Sequence, residues 1–473
     1  MNNLVKHVLL DISPSGYVNE SSRDFGIYVC ETRGLPFVWD GLKDGQRKAL
    51  YLLQKRAGEI KTISLAGEMI SSGLYIHGDA AAADSIGKLA APYQNNLPLI
   101  TGVGTFGTRI NPMDVAAPRY TYVKRNNVTE NIMYVDADVV PMAENYDGSA
   151  FSPKHFLPII PTVLLNGVSG MAPGFSTEIL PRSIEDLIQA TQDVLDLKMP
   201  TTLAPRYDYC DGEVLNLGPN KWAFYGTCDV VSTHVVRITG LCPGLLHEKF
   251  IETLESMLDD KSIRDYLDDT KDVVDITVRF ERNGCSKVDQ DTGLLRKWTE
   301  REACEFFGLV FRTTERITVL DWDGKTVKPY NSPEELLIHF VQRRFQFYVK
   351  RFEKLLLDDG KKLDFQKLMK ECFDSNLPAK LPKLNNKAEV LEAITSIAKK
   401  AKLDTNQDIL ERIASLPSYR WTKDEYQKVT DRIAELEENI DTYKEMLADD
   451  ENIWTVYRTE VSDLKSIKFD LTR

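Results

Sequence analysis

No stretch of this chain reaches the roughly 18 consecutive apolar residues that a membrane-spanning helix requires, which excludes a helical membrane span from its 473 residues. Seven cysteines, Cys30, Cys210, Cys228, Cys242, Cys285, Cys304 and Cys372, are odd in number and scattered, with no CxxC pair. Neither they nor the six histidines fall at metal-ligand spacing, which points to reduced core thiols and no metal site. A Walker lysine motif is also missing, so no nucleotide-triphosphate site is expected in this chain. The N-terminus, MNNLVKHVLLDISPSG, carries an apolar patch but neither a basic leader nor a small-residue cleavage site. A protein that stays in the cytoplasm where it is made is expected.

Positive charge is short as well: 59 Lys and Arg face 71 Asp and Glu, a formal balance of −12. Such acidity disfavours general nucleic-acid binding, whose phosphate contacts need a positive footprint. The deficit is local, however. Between Arg33 and Lys61 the basic residues Arg33, Lys43, Arg47, Lys48, Lys55, Arg56 and Lys61 outnumber the acids, and Arg109, Arg119, Lys124 and Arg125 follow. The acidity gathers in DDKSIRDYLDDTKDVVD and in the C-terminal helices. One basic face on an acidic body suits DNA binding at a single surface; for each Lys or Arg alone, a solvated surface charge is the plainer account.

The length suggests two to four domains at the usual ~100–200 residues each. From Gly45, GQRKALYLLQKRA has helical spacing, SLAGEMISSG predicts a second helix, and DAAAADSIGKLAA from Asp79 a third, opened by an Asp suited to N-capping. The last two, around a glycine-containing turn, fit a helix-turn-helix whose small residues admit close approach to a DNA groove. A tight helix–helix contact explains the same residues. From about Phe151 to Tyr330, short β-rich runs (VLLNGVSG, VVSTHVVRITGL, DVVDITVRFERNG) predict a separate α+β domain, with a hairpin at Asp323-Gly324. Further on, Leu337, Val341, Phe345, Tyr348, Phe352 and Leu355, then Tyr426, Val429, Ile433, Leu436, Ile440, Tyr443 and Leu447, form matching apolar seams. They predict an antiparallel coiled coil with a small helical tip inserted at roughly 372–421.

Gly102 to Gly107 spells GxGxxG, but a dinucleotide fingerprint needs a helix directly after its glycines, and TRINPMD follows instead. The acid pairs Asp321/Asp323 and Asp136/Asp138 read as turn residues rather than metal ligands. Arg119-Tyr120 carries more chemistry. A phenol attacks a phosphodiester only after losing its proton, unfavourable at a free pKa of about 10, and an adjacent guanidinium supplies both a field and a bidentate grip on phosphate. In a chain with 19 tyrosines, an Arg-Tyr dipeptide by itself is more often a strand edge.

In combination the motifs are specific. RGLPFVWDGLKDGQRKALY, YIHGD, GTFGTR, DVAAPRYTY and LPIIPTVLLNGVSGMAPGFST, in that order, resemble the breakage-reunion (A-type) subunit of type IIA DNA topoisomerases through most of the chain. DGLK followed by GQRKALY, and IIPTVLLNG, look nearer to the eukaryotic and bacteriophage branch than to gyrase. The resemblance implies an α+β multidomain fold: an N-terminal arm over 1–30, a winged-helix (helix-turn-helix) DNA-gate domain over 31–150, and a β-rich tower domain over 151–330. Over 331–473 it implies a long antiparallel coiled coil with a small helical tip, the C-gate.

By the same resemblance Tyr120 is the nucleophile that keeps the 5′ end of a broken strand as a phosphotyrosyl ester, and Arg119 stabilises charge on the phosphate. His77 lies near the scissile phosphate, Arg33, Lys43, Arg47 and Lys48 hold the gate duplex, and Arg109 counts among the DNA-binding residues. Tyr75 stands where gyrase has a second histidine. Met171 falls where an apolar wedge enters between base pairs; a core methionine is the alternative. Set against that family, the sequence is expected to carry no ATPase module, no acidic metal-binding domain and no gyrase wrapping domain of its own. The resemblance therefore implies a homodimer on double-stranded DNA whose ATP and Mg2+ are bound by a large partner subunit, a division similar to that of T-even-type phage medium subunits. ATP-dependent relaxation, decatenation and unknotting are the expected activities. A non-catalytic architectural DNA-binding dimer, or a relative that has lost cleavage, remains the alternative. Replacing Met171 with alanine is expected to weaken DNA bending, read as end-to-end energy transfer on a labelled duplex; unchanged bending removes the wedge.

Overall fold

Three leucines and an alanine at helical spacing, Ala49, Leu50, Leu52 and Leu53, are fully buried on one helix and begin the core of the molecule. A computed structural model describes residues 13–145, 148–289, 294–381, 384, 386–403 and 406–469; residues 1–12 of the expected arm lie outside this set. The chain divides into two compact units, one made of Met1–Gln342 and Glu460–Arg473, the other of Arg343–Thr459.

In the first unit, α1 (Pro14–Tyr17) and α2 (Arg23–Val29) lead into a wide turn at Cys30–Gly34. Then come α3 (Asp44–Gln54), α4 (Thr62–Ser71) and α5 (Asp79–Ala90). Small residues let α4 and α5 approach closely: Ala66, Ala82, Ala83 and Ala90 are buried with Leu65, Met69 and Ile86. Gly73 reverses the chain between them at a φ of 71°. The expected cap on α5 is displaced by one residue: Gly78 is the N-cap, and Asp79 stands inside the first turn, where its carboxylate meets the positive end of the helix dipole. A small antiparallel sheet in the order β1 (Ile60–Lys61), β3 (Tyr122–Lys124), β2 (Thr101–Val103) completes this region.

Two hairpins follow, β4 (Met142–Glu144) with β5 (Phe151–Pro153) and β6 (Val168–Ala172) with β7 (Phe175–Ile179). The second is closed by Pro173-Gly174, with Gly174 at a φ of 80° as a type II turn demands. The apolar run VLLNG does not extend β6 backwards. Thr162–Leu164 forms a 3-10 turn, because Val163, Leu164 and Leu165 are all fully buried and no neighbouring strand among the described residues pairs with them.

After α6 (Ile184–Leu195), β8 (Val214–Gly218) and β9 (Lys221–Tyr225) pair with β16 (Val310–Thr314) in a three-stranded sheet. A four-stranded sheet runs β10 (Thr227–Ser232), β11 (Val235–Gly240), β13 (Ile276–Arg279), β12 (Asp265–Asp268). Against these lie α7 (His247–Asp259) and α8 (Glu300–Phe306), burying Phe250, Leu254 and Ala303 with Val236, Ile238 and Val278. A short pair, β14 (Ser286–Val288) and β15 (Leu295–Lys297), stands beside them. The hairpin expected at Asp323-Gly324 joins β17 (Ile317–Leu320) to β18 (Val327–Tyr330), with Gly324 at a φ of 73°. Asp323 accepts from the Lys325 and Thr326 amides and the Thr326 hydroxyl, which holds its carboxyl down at about 2.

The second unit takes most of α9 (Pro333–Asp374) and, after a break, α13 (Lys423–Ala448) and the start of α14 (Asp450–Asp463). α9 and α13 are antiparallel: Lys367 pairs with Glu437 at 2.7 Å, and Tyr426 donates to Asp374 at 3.0 Å. Leu363, Leu436 and Ile440 fill their seam. Between them α10 (Leu377–Lys380), α11 (Lys387–Ala401) and α12 (Gln407–Ala414) gather around Leu377, Ile394, Ala398 and Ile413.

One interaction in the first unit left no trace in the sequence patterns. Arg182, fully buried, donates to both carboxylate oxygens of Glu315 at 2.8 Å and to the carbonyls of Leu180 and Leu203. The Leu180 amide donates to the same carboxylate. Glu315→Leu leaves a buried guanidinium without its counterion, and is expected to lower stability by about 3–5 kcal/mol, seen as an earlier urea midpoint. Adding Arg182→Met to it is expected to recover part of that loss; a double variant no more stable than the single shows that the charge is not what matters.

Candidate active site

Tyr120 sits where irregular chain enters the central strand of the β1–β3–β2 sheet. The backbone on both sides is pinned to α4. Ile63 donates to the Pro118 carbonyl at 3.1 Å, Thr62 donates to the Thr121 carbonyl at 3.0 Å, and the Thr121 and Thr62 hydroxyls meet at 2.8 Å. The Tyr120 amide closes a tight turn onto the Ala117 carbonyl at 2.8 Å. From this fixed base the Tyr120 side chain projects outward, 66% exposed, with the Arg119 guanidinium 4.8 Å over its ring. The glycine-rich loop folds back beside it: Gly104 takes a φ of 103° and Gly107 one of 83°, and the Ala116 amide donates to Thr105. Irregular chain, not a helix, follows these glycines, so the dinucleotide geometry is absent.

A second group gathers basic residues around the β6–β7 hairpin. Arg33 donates to the His77 ring at 3.0–3.2 Å, and the Tyr75 and His77 rings stand perpendicular with their centres 5.1 Å apart. Burial and then the Arg33 cation push the His77 pKa below its ordinary 6.5, which keeps the imidazole neutral and accepting. Lys43 donates to the Ser169 carbonyl at 3.0 Å, and burial together with Lys88 lowers its pKa. Lys48 pairs with Asp44 at 2.7 Å within α3. Met171, at the far end of β6, is 85% exposed and so has no part in any core.

Two of the expected DNA-binding residues have other occupations. Arg47 is buried and holds Asp40 through two hydrogen bonds of 2.8 and 3.0 Å. Arg109 donates to the Leu245 and Cys242 carbonyls at 3.0 and 2.7 Å and lies 5.0 Å over the Tyr209 ring. Among the described residues no hydrogen bond or ion pair joins Arg119 or Tyr120 to the Arg33–His77 group. Nor do three His, Cys, Asp or Glu side chains come together among them as ligands for a magnesium or other metal ion. Residues that sequence reasoning did not single out are Lys88, whose Asp84 partner four positions earlier makes it look like an ordinary helix pair, and the backbone of Gly34 and Gly170.

The sequence matches the family of the A-type subunits of DNA gyrase/topoisomerase IV over residues 33–462, and the chain belongs to that family. It is 30% identical to DNA topoisomerase 2 of Bombyx mori over 368 residues, covering 76% of this chain and 22% of that protein. It is 27% identical to the DNA topoisomerase medium subunit of Enterobacteria phage T4 over 435 residues, 89% of this chain and 93% of that one. The fold is that of the Plasmodium falciparum topoisomerase II DNA-binding, cleavage and re-ligation domain, with a TM-score of 0.82, 21% identity, and 95% of this chain and 64% of the other covered. The chain thus spans under a quarter of the length of animal relatives such as those of Bombyx mori and Gallus gallus, at 22% and 24%.

Because the Arg33 cation opposes imidazolium formation, Arg33→Met is expected to raise the His77 pKa toward the value set by burial alone. An NMR titration of the His77 ring measures it, and an unmoved midpoint contradicts the contact.

Proposed function

We propose that this chain is the DNA cleavage and religation subunit of a type IIA topoisomerase. The observation that carries this reading is Tyr120, exposed on a backbone pinned on both sides and paired with Arg119. The phenolate oxygen attacks a backbone phosphorus and the bond to the 3′ oxygen breaks. The phenol proton is lost as that oxygen gains one, and the 5′ end remains on the tyrosine. One ester replaces another, so the reverse step reseals the strand without an energy source. Arg119 grips the phosphate oxygens as charge develops on them, while Arg33, Lys43 and Lys48 hold the flanking backbone and His77 lies near the scissile phosphate.

In this reading α3, α4 and α5 with the β1–β3–β2 sheet are the winged-helix DNA gate. The β-rich part over 151–330 is the tower, and α9 with α13 forms a coiled coil ending in the C-gate tip. Two copies cut opposite strands of one duplex, giving a transient double-strand break through which a second duplex passes. The name of the phage relative, a medium subunit, supports division of labour with a large partner that binds ATP and holds Mg2+. That partner makes relaxation, decatenation and unknotting ATP-dependent. The reading places the protein in the cytoplasm, that of the host if a phage encodes it; among the described residues no helix is long and apolar enough to cross a membrane.

Mixing the chain with its partner subunit, magnesium and supercoiled plasmid, then trapping with detergent, is expected to give protein covalently linked to 5′ DNA ends. Tyr120→Phe is expected to abolish the adduct while DNA binding persists. An architectural dimer gives no adduct in either case, and an adduct that survives Tyr120→Phe rules out this nucleophile.

A further inference from the structure

Gly170 lies inside β6, where a glycine weakens a strand unless another backbone must come close. Neither it nor Gly34 has a positive φ, so backbone conformation does not call for glycine at either position. Proximity does. A methyl group at Gly170 would stand 2.0 Å from the Gly34 carbonyl oxygen and 3.3 Å from the Lys43 ammonium. One at Gly34 would stand 2.5 Å from the Ala172 methyl and 3.1 Å from the Met171 carbonyl oxygen. The two main chains are in contact at a separation that no side chain permits.

This contact lies between two functional groups. On one side, in β6, the next residue is Met171; on the other, the preceding residue is Arg33, which donates to His77. Lys43 reinforces the junction through the Ser169 carbonyl. The opposite edge of the hairpin is fixed independently, by paired hydrogen bonds of 2.9 and 3.0 Å between Glu178 and Arg316. With one edge anchored, the Gly34 contact determines where the other edge, and with it Met171, stands relative to Arg33.

We propose that the Gly34–Gly170 contact is a positioning device that sets the Met171 hairpin against the Arg33–His77 pair, so that DNA bending and seating of the phosphate occur as one event. It rests on the reading of Met171 as a wedge and of Tyr120 as the nucleophile. Gly34 and Gly170 touch no reacting atom; they act through Met171 and Arg33.

The test uses the full chain with its partner subunit, an end-labelled duplex for bending and the covalent adduct for cleavage. Gly170→Ala is expected to lower the bent fraction and the adduct together, each by about tenfold, and to lower the thermal midpoint because the main chains must part, with circular dichroism showing the variant folded at the assay temperature. A duplex carrying a single-strand gap at the bent step, already flexible, is expected to restore the adduct in Gly170→Ala but not in Tyr120→Phe. Ala172→Gly added to Gly34→Ala removes the nearest clash, and is expected to recover bending that Gly34→Ala alone loses. Loss of bending without loss of adduct on the intact duplex, or no rescue by the gapped one, overturns the coupling. Normal bending by Met171→Ala sinks the wedge reading and this inference with it, whereas an adduct in Tyr120→Phe sinks the nucleophile alone.

Discussion

The carboxylate of Asp40 is the interaction on which the basic group around the β6–β7 hairpin depends. It is 1% exposed, and burying an ion this deeply costs several kcal/mol unless its lone pairs are filled. They are filled from three directions: two bonds from Arg47 on α3, one from the Leu42 amide in its own loop, and one from the Phe156 amide far along the chain. The Asp40 carbonyl takes a fifth, from the Thr162 hydroxyl. A single short loop is thereby tied to a helix and to the segment that leads into β6. Gly41 completes the closure at a φ of 68°, where a methyl group would strike the Val163 main chain at 2.5 Å. Arg33 and Gly34 enter this loop and Lys43 leaves it, so each member of the basic group inherits its position from Asp40.

The same arrangement explains how an acidic chain keeps a positive spot. Elsewhere on the surface many cations are matched with carboxylates, as in Lys88 with Asp84, Lys124 with Glu59 and Arg237 with Asp275. Among the described residues Arg33, Lys43 and Arg119 form no such pair; their contacts are a neutral imidazole, a backbone carbonyl and a ring face. Charges without counterions project a field that paired ones do not. With Arg47 neutralised by Asp40 and Lys48 by Asp44, cations such as Arg33 and Lys43, rather than the count of basic residues, give the group around the β6–β7 hairpin its sign.

What could be read from the sequence followed from local pattern. The helical spacing of α3 to α5, the turn chemistry of Asp323-Gly324 and the apolar seams of α9 and α13 each depend on residues within one or two turns of one another. Arg47 could not be told from Lys43 in this way, because what separates them is burial against a carboxylate that lies in the loop before the helix, outside any regular element. Arg109 finds its carbonyl partners more than 130 residues later, and Arg182 finds Glu315 across a comparable gap. The facing glycines at 34 and 170 are equally remote in sequence, and each alone looks like an ordinary turn or strand glycine. The arginine–tyrosine pair was visible; its pinning to Thr62 and Ile63 was not, since backbone hydrogen bonds leave no side-chain signature.

The contact between Arg119 and Tyr120 bears on when the nucleophile becomes reactive. A cation over an exposed aromatic face is worth about 0.5–1 kcal/mol, and it sits over the ring rather than at the hydroxyl, where it would favour the phenolate. A hydrogen bond from a guanidinium to a charged acceptor contributes about 1.5–3 kcal/mol, and two in a fork more. In the proposed reaction, arriving phosphate therefore outcompetes the ring for Arg119. The guanidinium then lies between phosphate and phenol oxygen, where it stabilises both the ionised nucleophile and the charge that builds on phosphorus. Without DNA the side chain stands 66% exposed with the Arg119 cation over its ring, so in the proposed reaction the substrate itself supplies the trigger by drawing the cation off the ring.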